Sequence, residues 1–262
     1  MDIKDNEDTK FVQVSKRPAK FYIKELTVEN HINIQKIEEH KEVKINKSTF
    51  NERDLHPLLV KFLYSHPHFK CYSKTIYHES STRRQKGYNE WLHPDLVGIY
   101  FPFKDYLGET QKLQEAFKIS SFKLYSFELK IKLTFTNLRE YYFQAVSNSS
   151  WAHEGYLVAL EVDEDPLLRD ELRRLNNSFG IGIIQLNVTD IEQSEIILPS
   201  KEKEFVDWDT IDRLADENKD FKQFISDLTE DIKVGKVKSI YDKIMDDDVY
   251  GKYIIEKKIN SK

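Results

Sequence analysis

The segment Phe122–Leu133 limits what this chain can fold into more than any other. Phe122 and Leu124 fall in line with Ser126, while Tyr125, Phe127, Leu129 and Ile131 form the alternate set. Residues two apart in a strand share a face, so a run this apolar on both sides suits a strand covered by other elements. Glu128 and Lys130 nevertheless share one face, with Lys132 beyond them. A solvated strand face or a same-face ion pair would account for those charges. Leu129 and Ile131 opposite them, together with Phe127, instead fit the middle of a sheet.

The surrounding periodicities alternate between helix and strand. Leu55, Leu58, Leu59, Phe62 and Leu63 have helical spacing. Ser48 or Thr49 is the expected N-cap, Glu52 completes a capping box with Thr49, and Pro57 is tolerated in the first turns. Strands are predicted over Phe69–His78 and Leu92–Phe101, separated by the polar, basic loop Ser80–Glu90. Lys104–Phe117 reads as a connection with a helical piece, and Leu138–Asn148 as a helix. A strand over Tyr156–Val162, a charged helix over Pro166–Asn177 and a strand over Gly180–Leu186 follow. This order predicts an α/β fold, a mixed central sheet flanked by helices. Residues 48–200 would form the core, after an arm or linker at 1–47 with one strand and one short helix. Residues 201–262 would add a helical C-terminal extension on Ile211, Leu214, Phe221, Phe224, Ile225 and Leu228.

Composition removes several classes of function. No apolar run approaches the roughly 18 residues of a membrane span. The acidic start is no signal peptide, so a cytoplasmic protein without membrane attachment is expected. Cys71 is the single cysteine, which excludes a disulfide framework and a cysteine-based zinc site. No two histidines stand at His-x-x-x-His spacing. Ser149-Ser150-Trp151 is no nucleophile elbow, and Gly180-Ile181-Gly182 lacks the third glycine of a dinucleotide loop. Net charge is −5, unpromising for nucleic acid as a whole. Its distribution is uneven, however. Residues 50–145 hold 14 Lys and Arg against 10 Asp and Glu, whereas residues 146–200 hold 3 against 10. A local basic face is sufficient for phosphate contacts.

Phosphodiester hydrolysis needs an activated water, an electrophile for the phosphoryl oxygens and help for the leaving alkoxide. A divalent ion supplies all three, and hard Mg²⁺ (or Mn²⁺) prefers carboxylate oxygens. Asp95, at the start of the second predicted strand, and Glu128, in the third, are the metal ligands expected here. Lys130 would position or activate the water, and the backbone carbonyl of Leu129 is a natural further ligand. Glu52 on the opening helix is placed to reach the same metal, and Gln144 on the following helix to hold substrate or order the site. Arg83, Arg84 and Lys86 are the candidate DNA phosphate contacts, with His93 beside the motif as another. The competing class is a binding module that grips DNA or a partner protein without cutting. A decayed copy would usually lose the lysine or a carboxylate, and all three positions are filled.

Pro94-Asp95, followed 33 residues after the aspartate by Glu128-Leu129-Lys130, resembles the signature of the PD-(D/E)xK, or restriction-endonuclease-like, nuclease superfamily. The helix–three strands–helix–strand order over about residues 49–186 is similar to that family's core. At closer range the chain resembles HrgA-type restriction-associated proteins. The stretches that carry this are Asp54-Leu55-His56-Pro57-Leu58-Leu59, His93-Pro94-Asp95, Phe127-Glu128-Leu129-Lys130 and Phe205-Val206-Asp207-Trp208. The resemblance implies a Mg²⁺-dependent endodeoxyribonuclease in restriction or phage defence. It also implies a homodimer for two-strand cuts and association with a methyltransferase or other restriction-system component. The chain departs from the HrgA pattern at its start, since 47 residues are too few for a winged-helix DNA-binding module. Arg17-Pro18-Ala19-Lys20-Phe21-Tyr22 is its expected residual exit segment.

Overall fold

The computed structural model describes residues 11–16, 19–23, 50–81, 93–106, 108–117 and 122–259. The chain divides into two compact units at Ser48/Thr49. The first holds an antiparallel pair, β1 (Phe11–Lys16) and β2 (Ala19–Ile23). Two strands thus stand where the sequence predicts one strand and a short helix, and residues 24–49 lie outside the described residues.

In the second unit a 3-10 turn (Glu52–Leu55) leads into α1 (His56–Ser65). The predicted capping box is displaced. Thr49 lies outside the described residues, and Asn51 caps the turn reciprocally with Asp54. Glu52 is the first residue of that turn, and its carboxylate faces Lys130. Next come β3 (Tyr72–Thr75), β4 (Leu96–Tyr100), α2 (Gly108–Ala116), β5 (Lys123–Leu133), α3 (Leu138–Asn148) and β6 (Glu154–Val162). After them follow α4 (Pro166–Phe179), β7 (Gly182–Gln185) and β8 (Glu195–Leu198). The six strands lie in chain order in one mixed sheet. β3, β4 and β5 form an antiparallel meander, β6 and β7 run parallel to β5, and β8 returns antiparallel. α3 and α4 are the crossovers that parallel neighbours require.

The strand periodicity sorts side chains into layers. Tyr125, Phe127 and Leu129 of β5, with Tyr156, Val158 and Leu160 of β6, pack beneath Leu58, Leu59, Phe62 and Leu63 of α1. Gly98 leaves room for this, since a Cβ there would stand 3.0 Å from the Cys71 sulfur and 3.3 Å from the Phe127 ring. The other face carries two separate apolar clusters. Over β4, Val97 and Ile99 meet helices α5 (Trp208–Glu217) and α6 (Lys219–Val234) through Ile211, Leu214, Phe221 and Phe224. Over β6 and β7, Leu157, Ala159 and Ile183 meet α3 and α4. The C-terminal helices therefore complete the sandwich. α7 (Asp247–Lys257) joins the α1 side through Tyr250.

Between α6 and α7, residues 236–246 run as a strap along the outer edge of β3. The Asp242 N–H donates to the Ser73 carbonyl at 2.9 Å. The Asp242 carboxylate in turn accepts from the Thr75 N–H at 2.7 Å and hydroxyl at 2.6 Å. An edge strand otherwise presents unpaired groups to any passing chain.

β3 is shorter than predicted. Phe69 and Cys71 are buried ahead of it, after a turn in which Lys70 takes φ 44, and His78 belongs to a 3-10 turn (His78–Ser80). Gly180 does not open β7 as the sequence suggests. With φ 79 it closes α4 in the left-handed region, where glycine pays no steric penalty. Strand β8 has no counterpart in the sequence reading. Among the described residues, no helix is long and apolar enough to cross a membrane.

Candidate active site

On the face of β5 that lies between the two apolar clusters, three consecutive inward positions are polar: Ser126, Glu128 and Lys130, all buried. The β4–β5 register pairs Leu96 with Phe127 and Val97 with Ser126. Continuing it by one step places Asp95 opposite Glu128. β4 formally starts one residue later because the Asp95 side chain takes over the pairing: its Oδ2 accepts from the Leu129 N–H at 2.8 Å. The N–H and C=O of one strand residue point to the same side, so the Leu129 carbonyl also faces Asp95.

Glu128 is gripped at both oxygens. Lys130 Nζ donates to Oε1 at 2.8 Å, and Asn148 Nδ2 donates to Oε2 at 2.7 Å. Asn148 is the last residue of α3, and its own carbonyl accepts from the Ser126 hydroxyl and the Trp151 indole. Lys130 also faces Glu52 Oε2 at 3.7 Å and lies 5.1 Å from the centre of the Tyr141 ring. α7 braces the turn that carries Glu52: Lys257 pairs with Asp54 at 2.8 Å, and the Tyr253 hydroxyl donates to the Asp54 carbonyl.

Glu128 and Lys130 are thus dry, Asp95 nearly so, and Glu52 flanks them half-exposed. Burial, then the negative charge of Asp95, pushes the Glu128 carboxyl up to about 7 despite its lysine. Burial also raises Glu52, partly offset by Lys130. Burial works the same way on Asp95, but His78, Lys130 and the Leu129 N–H outweigh it and hold that carboxyl below its ordinary range. Burial would pull the Lys130 ammonium down, yet Glu128, Glu52 and Asp95 together hold it above its usual value. Lys130 therefore stays protonated here. That suits holding a water or an anion rather than removing a proton.

Two further histidines border the cluster. The Thr75 hydroxyl gives its proton to Asp242, so it can only accept from His56 Nδ1, 3.2 Å away. This places the His56 proton on Nδ1, and burial holds the ring below its ordinary range, hence neutral. His78 Nε2 lies 3.6 Å from Asp95 Oδ1, an ion-pair distance, and this carboxylate holds the imidazole above its usual range.

The oxygen donors of this seam are Asp95, Glu128 and the Leu129 carbonyl, with Glu52 alongside. This all-oxygen set suits a hard divalent cation, and a carboxyl raised to about 7 by burial and a like charge has much to gain from one. Among the described residues, no three His, Cys, Asp or Glu side chains are gathered closely enough to hold a metal ion by side chains alone. Glu52 faces Lys130, so the fit rests on two carboxylates and a carbonyl.

Asp95, Glu128, Lys130, Leu129 and Glu52 are thus brought together. Gln144 makes no hydrogen bond to them; it sits half-buried one turn before Asn148, on the same side of α3 as Tyr141, and Asn148 makes the hydrogen bond to Glu128. Arg83, Arg84 and Lys86 lie outside the described residues. His93 is only 2 % exposed, and burial lowers it to about 4. Comparisons with protein-family models, curated proteins and solved structures find no match.

Proposed function

We propose that this chain is a metal-dependent endonuclease on a restriction-endonuclease-like core, hydrolysing DNA phosphodiester bonds in restriction or phage defence. The observation that carries the reading is the convergence of Asp95, Glu128 and Lys130 on one buried seam, with the Asp95 carboxylate bonded to the N–H of Leu129. An ion pair kept only for stability gains little from a second buried carboxylate at its side, because dry like charges are costly and Asp95 needs His78, Lys130 and the Leu129 N–H to hold it. Helix, antiparallel meander, crossover helix and parallel strand follow one another as in the superfamily the sequence resembles.

Asp95 and Glu128, with the Leu129 carbonyl, would hold Mg²⁺ or Mn²⁺. When bound, that ion supplies a water of lowered pKa and polarises the phosphoryl oxygens. Lys130, protonated and fixed by Glu128, holds the attacking water and offsets charge building on the phosphoryl group. Asn148 keeps the Glu128 carboxylate in one orientation, and Tyr141 limits the ammonium's freedom from the opposite side. Restriction and phage defence, a homodimer and a methyltransferase partner come from the resemblance alone.

The test is cleavage of supercoiled and linear DNA with Mg²⁺, Mn²⁺ or EDTA, beside Glu128→Ala and Lys130→Ala. Metal-dependent cutting that drops at least a hundredfold in both folded variants is expected. DNA binding without cutting, and no Mn²⁺ affinity that depends on Asp95 and Glu128, would instead make the chain a binding module.

A further inference from the structure

We infer that His78 is a substrate-contacting residue of this site, donating to the phosphate of a bound nucleic acid, and that Asn218 is its positioning residue. The inference rests on the nuclease reading above and adds to it two residues that no sequence motif marks.

Asp95, Glu128 and Lys130 are too deeply set to meet a duplex by themselves; their side chains are 15 %, 2 % and 7 % exposed. Around them the exposed polar groups include Glu52, Arg53 and His78. Glu52 repels a phosphodiester. Arg53 is engaged, with Nη2 2.6 Å from both Glu79 oxygens and its guanidinium over the Tyr77 ring. His78 is 55 % exposed, and its described side-chain polar contact is the ion-pair approach to Asp95 Oδ1 at 3.6 Å, longer than a hydrogen bond. The ring thus stands exposed beside the carboxylate that opposes Glu128, within reach of a phosphate that meets that carboxylate.

The turn beneath His78 is built rather than loose. Asn218 is 1 % exposed and uses its whole amide. Its Oδ1 caps α6, accepting from the Asp220 and Phe221 N–H groups, while its Nδ2 donates to the Tyr77 carbonyl at 3.0 Å and the Ser81 hydroxyl at 2.8 Å. Tyr77 and Ser81 flank the His78–Ser80 turn. The Tyr77 N–H also donates to the Asp220 carboxylate at 3.1 Å, and Ser81 bridges to Asn218 along the backbone. One buried side chain therefore ties the start of α6 to both ends of the turn that carries the imidazole. This clamp fixes where His78 stands relative to Asp95.

The experiment compares wild type, His78→Ala, His78→Gln and Asn218→Asp, with thermal melts for folding. The aspartate keeps the α6 cap but loses both donors to the turn. The readouts are kcat and KM for plasmid cleavage with Mg²⁺ and Kd for a fluorescent duplex with non-cleaving Ca²⁺. A lost hydrogen bond to a charged group predicts that His78→Ala raises KM and Kd about ten- to a hundredfold, with kcat changed less. His78→Gln, which keeps a donor, recovers part of that loss. Asn218→Asp gives a similar rise, and the double variant is no worse than the worse single one. If wild type cuts and His78→Ala matches it in KM and Kd, the inference is wrong while the nuclease reading stands. If His78→Ala is impaired but Asn218→Asp is not, or the two effects add in full, the positioning role of Asn218 is wrong. If wild type neither cuts nor binds DNA, both readings fall together.

Discussion

Replacing Glu128 by glutamine should stabilise the metal-free protein, and the gain should depend on pH in a definite way. The Glu128 carboxyl sits at about 7 when folded against an ordinary 4.5, because burial and Asp95 together exceed the help from Lys130 and Asn148. A raised carboxyl keeps its proton in the folded state after the unfolded chain has released it. Its contribution is therefore fully present below pH 4.5, is lost as pH rises toward 7, and is level above that. At about 1.4 kcal/mol per pH unit, the ionised carboxylate costs about 3 kcal/mol at pH 8. Glutamine removes the charge at nearly constant shape. Its oxygen can face Lys130, and its amide can meet Asn148 Oδ1, which has no hydrogen-bond partner among the described residues, once the Asn148 amide turns over. The assay is urea unfolding in EDTA of wild type and Glu128→Gln at pH 4.5 and 8. Near-equal stability at pH 4.5 should become an advantage of about 3 kcal/mol for the variant at pH 8, or a melting point higher by about 6–12 °C. A gap that does not change with pH, or a variant less stable at pH 8, would refute the electrostatic account of the seam.

Two other expectations use the same preparations. At pH 8, Mn²⁺ at a hundred times its Kd should stabilise wild type by about 2.7 kcal/mol, and EDTA should reverse this. Asp95→Asn and Glu128→Gln should show no such gain in a thermal-shift titration, and an equal gain in either would place the ion elsewhere. Asp242→Ala strips the Thr75 N–H and hydroxyl of their acceptor. A loss of about 2 kcal/mol in urea unfolding is expected, with association on sizing columns as the β3 edge is bared.

The sequence and the structure agree best where a periodic pattern is long. β5 and α3 carry their full period and fall within one residue of their predicted ends. β8 is a four-residue, partly exposed edge whose Glu195, Ile196, Ile197 and Leu198 show no alternation to detect. The heart of the site was legible because Glu128 and Lys130 contradict the strand that contains them. Asn148 was not, although the face of α3 was: only packing decides whether Gln144 or the residue one turn later reaches β5. His78 and Asn218 stand 140 residues apart in a turn and a cap, and neither carries a local signal that they meet.

The strap along β3 also sets an order in time. Thr75 waits for Asp242, which follows it by 167 residues. At the usual 5–20 residues per second of synthesis, that separation is about 8–33 s during which the sheet edge has left the ribosome without its cover. Asn218 is made earlier in the same interval, so the imidazole turn can be fixed before the edge is sealed. Every chain thus passes through a stage in which Thr75 has been made and the carboxylate that covers its edge has not.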